Sequence, residues 1–139
     1  MIQIRDYQTS DYEGLKANLE AAHMFDPEWD TKDNLKRKLA KYPGSILVAV
    51  DDGTVVGNVY IVGDNFQTII FRLAVKEDYR KQGIGSRLMD EAERRMKENG
   101  INHVALLVRE GEEKTVAWYK KRGYYPAGSR HQVMHKKLF

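Results

Sequence analysis

The chain has 139 residues and a mass of 16.1 kDa, which implies a single domain over 1–139 with length enough for a real core and excludes folds that need roughly 200 residues or more, such as a (β/α)₈ barrel. It has no cysteine, which removes disulfides, thiolate zinc sites, iron–sulfur clusters and thiol catalysis together. The net charge is +3, but residues 1–75 carry −3 and residues 76–139 carry +6, so an anionic ligand belongs with the second half. No apolar run approaches the roughly 18 residues of a membrane span. Met1 to Asp6 lacks the apolar core of a signal peptide. A soluble, cytoplasmic protein with no membrane partner is the expectation.

In chain order, Ile2 and Ile4 open a short strand. Thr9-Ser10-Asp11 offers caps for a helix through Leu15 and Leu19, and Asp30-Thr31 or Asp33 caps a basic helix carrying Leu35 and Leu39. That helix stops before Pro43-Gly44. Ile46 to Val50 reads as a buried strand, and Asp52-Gly53 turns it into an antiparallel partner over Val55 to Val62. Thr68 to Val75 is a third core strand. Residues 84–98 form a helix with Leu88, Met89, Ala92 and Met96 on one face, closed by Asn99-Gly100. His103 to Val108 reads as another buried strand and Lys114 to Lys121 as a short helix. Strands are expected to start at Arg122-Gly123-Tyr124-Tyr125 and to run over His131 to Leu138. The order βααβββαβαββ implies an α/β (α+β) fold with a mixed sheet, in which strand 68–75 lies parallel to strand 103–108.

The segment with chemistry runs from Leu73 to Leu88. An apolar strand enters a basic, glycine-containing loop, Arg80-Lys81-Gln82-Gly83-Ile84-Gly85, that opens directly into the amphipathic helix. Glycines let backbone approach a ligand, and the first N–H groups of a helix have no intrahelical acceptor. With the macrodipole and two cationic side chains beside them, they make a cradle for a pyrophosphate. The Rossmann fingerprint would need glycine at Leu88, and a Walker loop would need Lys-Ser/Thr after Gly85, where Ser86-Arg87 stands. A Gly-x-Gly alone also suits a plain tight turn.

The block Arg80 to Gly85 resembles the Arg/Gln-x-x-Gly-x-Gly/Ala signature of the GNAT superfamily of N-acetyltransferases. A second block, Thr115 to Tyr124, is similar to that family's helix ending in aromatic-Tyr-x-x-x-Gly-Phe/Tyr. The order of blocks and strands matches over the full chain. The resemblance implies a mixed, mostly antiparallel sheet of about seven strands with a splayed central parallel pair, flanked by about four helices. It implies acetyl-CoA as cosubstrate, with Leu73, Ala74 and Val75 along its pantetheine arm, through the backbone of Leu73 and Val75. The N–H groups of Gln82, Gly83, Ile84, Gly85 and Ser86 would hold the pyrophosphate, flanked by Arg80 and Lys81. A backbone N–H near Val75 would polarise the thioester carbonyl. Tyr119 would protonate the leaving thiolate, a plausible match because a thiol titrates near about 8.5 and a tyrosine near about 10. Tyr119 could equally be a packing aromatic, as Trp118 is expected to be.

Two positions depart from the family pattern. Glu112 stands where many relatives carry asparagine, and Ile70-Phe71-Arg72-Leu73 lacks the glutamate that many use as general base. Glu110 is the preferred substitute, ahead of His23, Asp26, Glu28, His131 or a water chain; it could also be a solvated loop acid. Arg72 could line the acceptor site and favour an acidic acceptor, or hold its head in solvent. The family's acceptor region corresponds to Ala22 to Asp30, whose acids at 26, 28 and 30 could receive a cationic amine or serve as loop and cap residues. The histidines have no metal-like spacing, so no metal is expected. The implied activity is acetyl transfer to a primary amine by direct attack in a ternary complex. The alternatives are a catalytically weak CoA-binding sensor or interaction module and, from the pI near 9.0, a nucleic-acid binder, which is the least expected. Relatives often dimerise, so a homodimer is also an expectation.

Overall fold

The computed structural model describes residues 1–139 and divides into two compact units, 1–107 and 108–139. The first unit contains β1 (Ile2–Asp6), α1 (Tyr12–Ala21), α2 (Lys32–Lys41), β2 (Ile46–Asp51), β3 (Thr54–Gly63), β4 (Thr68–Val75), α3 (Ile84–Glu98) and β5 (Ala105–Leu106). The strands form one sheet in the order β1-β2-β3-β4-β5, antiparallel except for the parallel pair β4–β5. No helix is long and apolar enough to cross a membrane.

Local chemistry accounts for the boundaries. Thr31 caps α2, its side chain accepting from the Asn34 N–H at 3.1 Å. Asp52 and Gly53 both take positive φ, +49° and +81°, the pairing that a two-residue hairpin of the right twist requires. The five apolar residues Ile46 to Val50 are all buried, as a strand covered on both faces must be. Ile46, Val48 and Val50 join Leu15, Leu19 and Leu35 in the core beneath α1 and α2. On the other face, α3 buries Ile84, Leu88, Met89, Ala92 and Met96, and each large side chain among them contributes about 1.5–3 kcal/mol. Gly57 permits this approach: a Cβ there would sit 3.1 Å from Leu88 Cδ1 and 3.4 Å from Ala49 Cβ.

The second unit contains one helix, α4 (Glu113–Lys121). Tyr124 N–H bonds back to the Tyr119 carbonyl at 3.1 Å, and Gly123, at φ +97°, makes the turn that ends the helix.

Four helices and a mixed, mostly antiparallel sheet are present as expected, but the strand count is five rather than about seven. The stretch His103 to Val108 yields only Ala105–Leu106, half-buried, with Leu107 exposed. Neither Arg122 to Tyr125 nor His131 to Leu138 is a strand. A strand exists through its ladder; Gly123 lies within the first of these segments and Pro126 and Gly128 follow it directly, while the second is exposed throughout. The parallel pair consequently lies at the edge of the sheet, not at its centre.

Candidate active site

Two features of the first unit converge on the end of β4. The first is a bulge. Asn58 pairs with Ala74 but Tyr60 with Phe71, so β4 carries one extra residue between them. Arg72 takes φ +56° there, a conformation that costs a non-glycine residue about 1–2 kcal/mol. A buried amide network holds it. Asn58 Nδ2 donates to the Arg72 carbonyl at 2.8 Å, while Asn18 Nδ2 donates to Asn58 Oδ1 at 2.7 Å and to the Ala74 carbonyl at 3.3 Å. The parallel ladder stops at Ile70↔Leu106, immediately before the bulge. From Phe71 to Val75, β4 has a strand partner on its β3 side alone.

The second feature is the loop from β4 into α3. A single helical turn, Glu77–Tyr79, is tied down by Tyr79 Oη donating to Asp51 Oδ2 at 2.7 Å. Arg80 Nε donates to the Val75 carbonyl at 3.1 Å, and Gln82 Nε2 to the Asp78 carbonyl at 3.3 Å. Lys81 and Gly83 both take positive φ, +63° and +78°. Alternation of this kind turns successive N–H groups toward one concavity. Arg87 N–H, bonded to the Gly83 carbonyl at 3.0 Å, is the first donor satisfied within α3, leaving those of Ile84, Gly85 and Ser86 without a backbone acceptor. The first turn of α3 contains no acidic residue to neutralise the helix N-terminus. A Cβ at Gly83 would meet nothing within 4 Å, so φ, not space, demands this glycine, and the concavity in front of it is open. Of the N–H groups around Val75, that of Lys76 is spent on the Val56 carbonyl at 2.8 Å.

Two acids of the α1–α2 loop, Asp26 and Asp30, are engaged internally. Asp30 is 2% exposed. Its carboxylate accepts from Arg72 Nη2 at 3.0 Å and Nε at 3.4 Å, Tyr60 Oη at 3.1 Å and Asp26 N–H at 2.8 Å. Burial beside Asp30 pushes the Tyr60 phenol well above its ordinary value. Asp26 Oδ1 accepts from the N–H groups of Glu28 and Trp29 at 2.8 and 3.1 Å. Arg72 therefore neither points to solvent nor offers a free cation to an acceptor, and Asp26 and Asp30 shape the loop rather than lining a cation pocket. Asn18, Asn58 and the pairing of Asp30 with Arg72 went unforeseen. The signal for the asparagines was present: Asn58 interrupts the apolar run Val55 to Val62, and Asn18 lies between Leu15 and Leu19 on the buried face of its helix.

A groove of about 730 Å³ also opens in the first unit, lined by Tyr42, Ser45, Ile61, Phe66, Arg95 and Met96 among others. It lies at the C-terminal end of α3, where the macrodipole has the wrong sign for a phosphate.

In the second unit, Tyr119 packs edge-on against Trp118 and Tyr124, with ring centroids 4.9 and 5.5 Å apart. Burial pushes its phenol up to about 12, opposed by the Arg122 cation. Glu110 stands in solvent, 89% exposed, with Arg130 Nη1 at 3.4 Å. Glu112 precedes α4 without capping it and lies 3.9 Å from Arg109.

Residues 2–124 match the model of the acetyltransferase (GNAT) family. A Yersinia pestis protein named acetyltransferase is 29% identical over 123 residues, 88% of this chain and 87% of that one. Among solved structures, Ard1 from Thermoplasma volcanium superposes with a TM-score of 0.78 at 26% identity, covering 89% of this chain and 82% of that one. The PaiA N-acetyltransferase of Thermoplasma acidophilum, solved with coenzyme A, shares the fold with a TM-score of 0.75 at 23% identity, over 94% and 93% of the two chains. The chain belongs to the GNAT family of acetyltransferases, and is an acyltransferase.

Proposed function

We propose that this protein transfers the acetyl group of acetyl-CoA to a primary amine by direct attack in a ternary complex. The observation that carries the reading is the open cradle at the start of α3, with N–H groups at Ile84, Gly85 and Ser86 that have no backbone acceptor, set directly after a strand whose outer edge has no strand partner beyond Ile70. The complex of the Thermoplasma acidophilum relative with coenzyme A supports it.

Acetyl-CoA supplies the electrophilic thioester carbonyl. In this reading Leu73, Ala74 and Val75 align its pantetheine arm along β4. Gln82 to Ser86 hold the pyrophosphate through backbone N–H groups, and Arg80 and Lys81 neutralise its charge. A backbone N–H near Val75 polarises the carbonyl as the amine lone pair attacks. The carbon–sulfur bond then breaks, Tyr119 gives its proton to the departing sulfur, and the proton shed by the amine passes to Glu110 or to water. No covalent carrier on the protein is needed, which suits a chain without cysteine. In this reading residues 1–139 are a single acetyltransferase domain.

The solvated position of Glu110 and the lack of a carboxylate on β4 favour a second reading, a CoA-binding module with weak catalysis. Thermal shift and intrinsic fluorescence with acetyl-CoA, CoA and NAD titrated separately test cofactor binding. A saturable response to the two CoA species alone is expected, with about 2.7 kcal/mol of stabilisation at 100 times the Kd. Absence of any CoA response overturns the proposal. CoA-thiol release over a panel of primary amines then separates the enzyme from the binding module.

A further inference from the structure

We infer that Asp30 and Arg72 are positioning residues for β4: their ion pair holds the strand in the bulged form that frees its outer edge. The inference rests on the reading of β4 as the strand that carries acetyl-CoA.

The parallel ladder ends two residues before Arg72, at Ile70↔Leu106. The backbone at position 72 therefore decides whether β4 continues beside β5 or leaves it. Arg72 is held in its left-handed conformation at both ends. Asn58 Nδ2 binds its carbonyl at 2.8 Å, and Asp30 binds its guanidinium at 3.0 and 3.4 Å. Its guanidinium also lies 4.4 Å from the Phe71 ring centroid, over the neighbouring side chain. Asp30 is itself fixed, since Tyr12 Oη donates to its carbonyl at 2.8 Å and Tyr60 Oη to its carboxylate at 3.1 Å. The anchor thus reaches α1 and β3. Relaxation of residue 72 to extended backbone would remove the extra residue, slip the register by one and exchange the faces of residues 73–75. Ala74, now buried, would exchange places with its neighbours, and the N–H and C=O groups of Leu73 and Val75 would turn with them. The same carboxylate accepts from Asp26 N–H at 2.8 Å, so one buried group sets both the cofactor strand and the α1–α2 loop.

The test uses the full chain with Asp30→Asn, which keeps the oxygen acceptor but loses the charge, and Arg72→Gln, which loses the cation and leaves the cost of positive φ in place. Acetyl-CoA affinity is expected to fall at least tenfold in each, with the double variant no worse than the single ones. Amide exchange across 71–75 without ligand is expected to quicken at least tenfold, while exchange in β2 stays as in the parent. Folded variants with parental exchange across 71–75 overturn the inference, whatever the ligand. A parent that binds no CoA species overturns the cofactor reading, and the exchange result alone then decides this one. If Asp30→Asn does not fold, Arg72→Gln decides alone by the same exchange measurement: quickened exchange supports the pair, and unchanged exchange overturns it.

Discussion

Tyr119 is the residue whose role can be separated most cleanly from its packing. Burial pushes its phenol up to about 12, so between pH 7 and 10 it stays protonated and able to donate. Phenylalanine would keep the edge-on contacts with Trp118 and Tyr124 and remove only the hydroxyl. Tyr119→Phe is therefore expected to lower kcat by about 10²- to 10³-fold, with acetyl-CoA affinity within twofold of the parent, in steady-state thiol-release assays. The same elevation predicts no loss of parental kcat with a midpoint near 10. Unchanged kcat in the variant would leave Tyr119 a packing aromatic. At this scale the sequence showed the glycines and cations of the cradle, because Arg80 to Ser86 are contiguous and open a helix whose period is plain. The Asp30–Arg72 pair was invisible: its members stand far apart in the chain, and neither side chain carries a local mark of its partner.

Among the elements, α3 does most to define the site, and both its ends were legible. The helix was expected over 84–98 and runs from Ile84 to Glu98, since its apolar face and its glycine flanks are local properties. β5 is parallel to β4 as expected but only two residues long, and the strands expected after Arg122 are absent, because a strand depends on a ladder that its own residues do not encode. The glycines flanking α3 supply a controlled experiment. Gly83 and Gly100 have nearly equal φ, +78° and +77°, and a Cβ at either meets nothing within 4 Å. Alanine at either site should cost a similar strain of about 1 kcal/mol, read as a thermal shift. Only Gly83→Ala should also weaken acetyl-CoA, by about fivefold in calorimetry, because it moves the N–H groups of Ile84 to Ser86 from their aim. Equal affinities in the two variants would take the pyrophosphate away from this loop.

For the molecule as a whole, charge is unevenly placed, and one cation opposes folding. Residues 76–139 carry +6 and include the cradle. The basic helix α2 lies in the acidic half, where Lys38 is half-buried with Nζ 2.5 Å from the Ile61 carbonyl and 5.9 Å from the Tyr42 ring centroid. Burial pushes Lys38 down to about 8. Between this value and the ordinary lysine value near about 10.4, the unfolded chain binds more protons than the folded one. Stability due to this group must rise with pH across that window and be lowest below it. Methionine fills a similar volume, has no charge to desolvate, and gives up one hydrogen bond to a carbonyl. Lys38→Met is expected to raise Tm at pH 7 by about 2–4 °C, the shift of roughly 1 kcal/mol in a chain of this size. The gain should shrink toward zero by pH 10, where the parental lysine is neutral in the fold. Thermal unfolding of parent and variant at 0.2 M salt, pH 7 to 10, measures this difference. A variant less stable than the parent at pH 7, by an amount that does not change with pH, would show that the Ile61 hydrogen bond outweighs the burial of the charge.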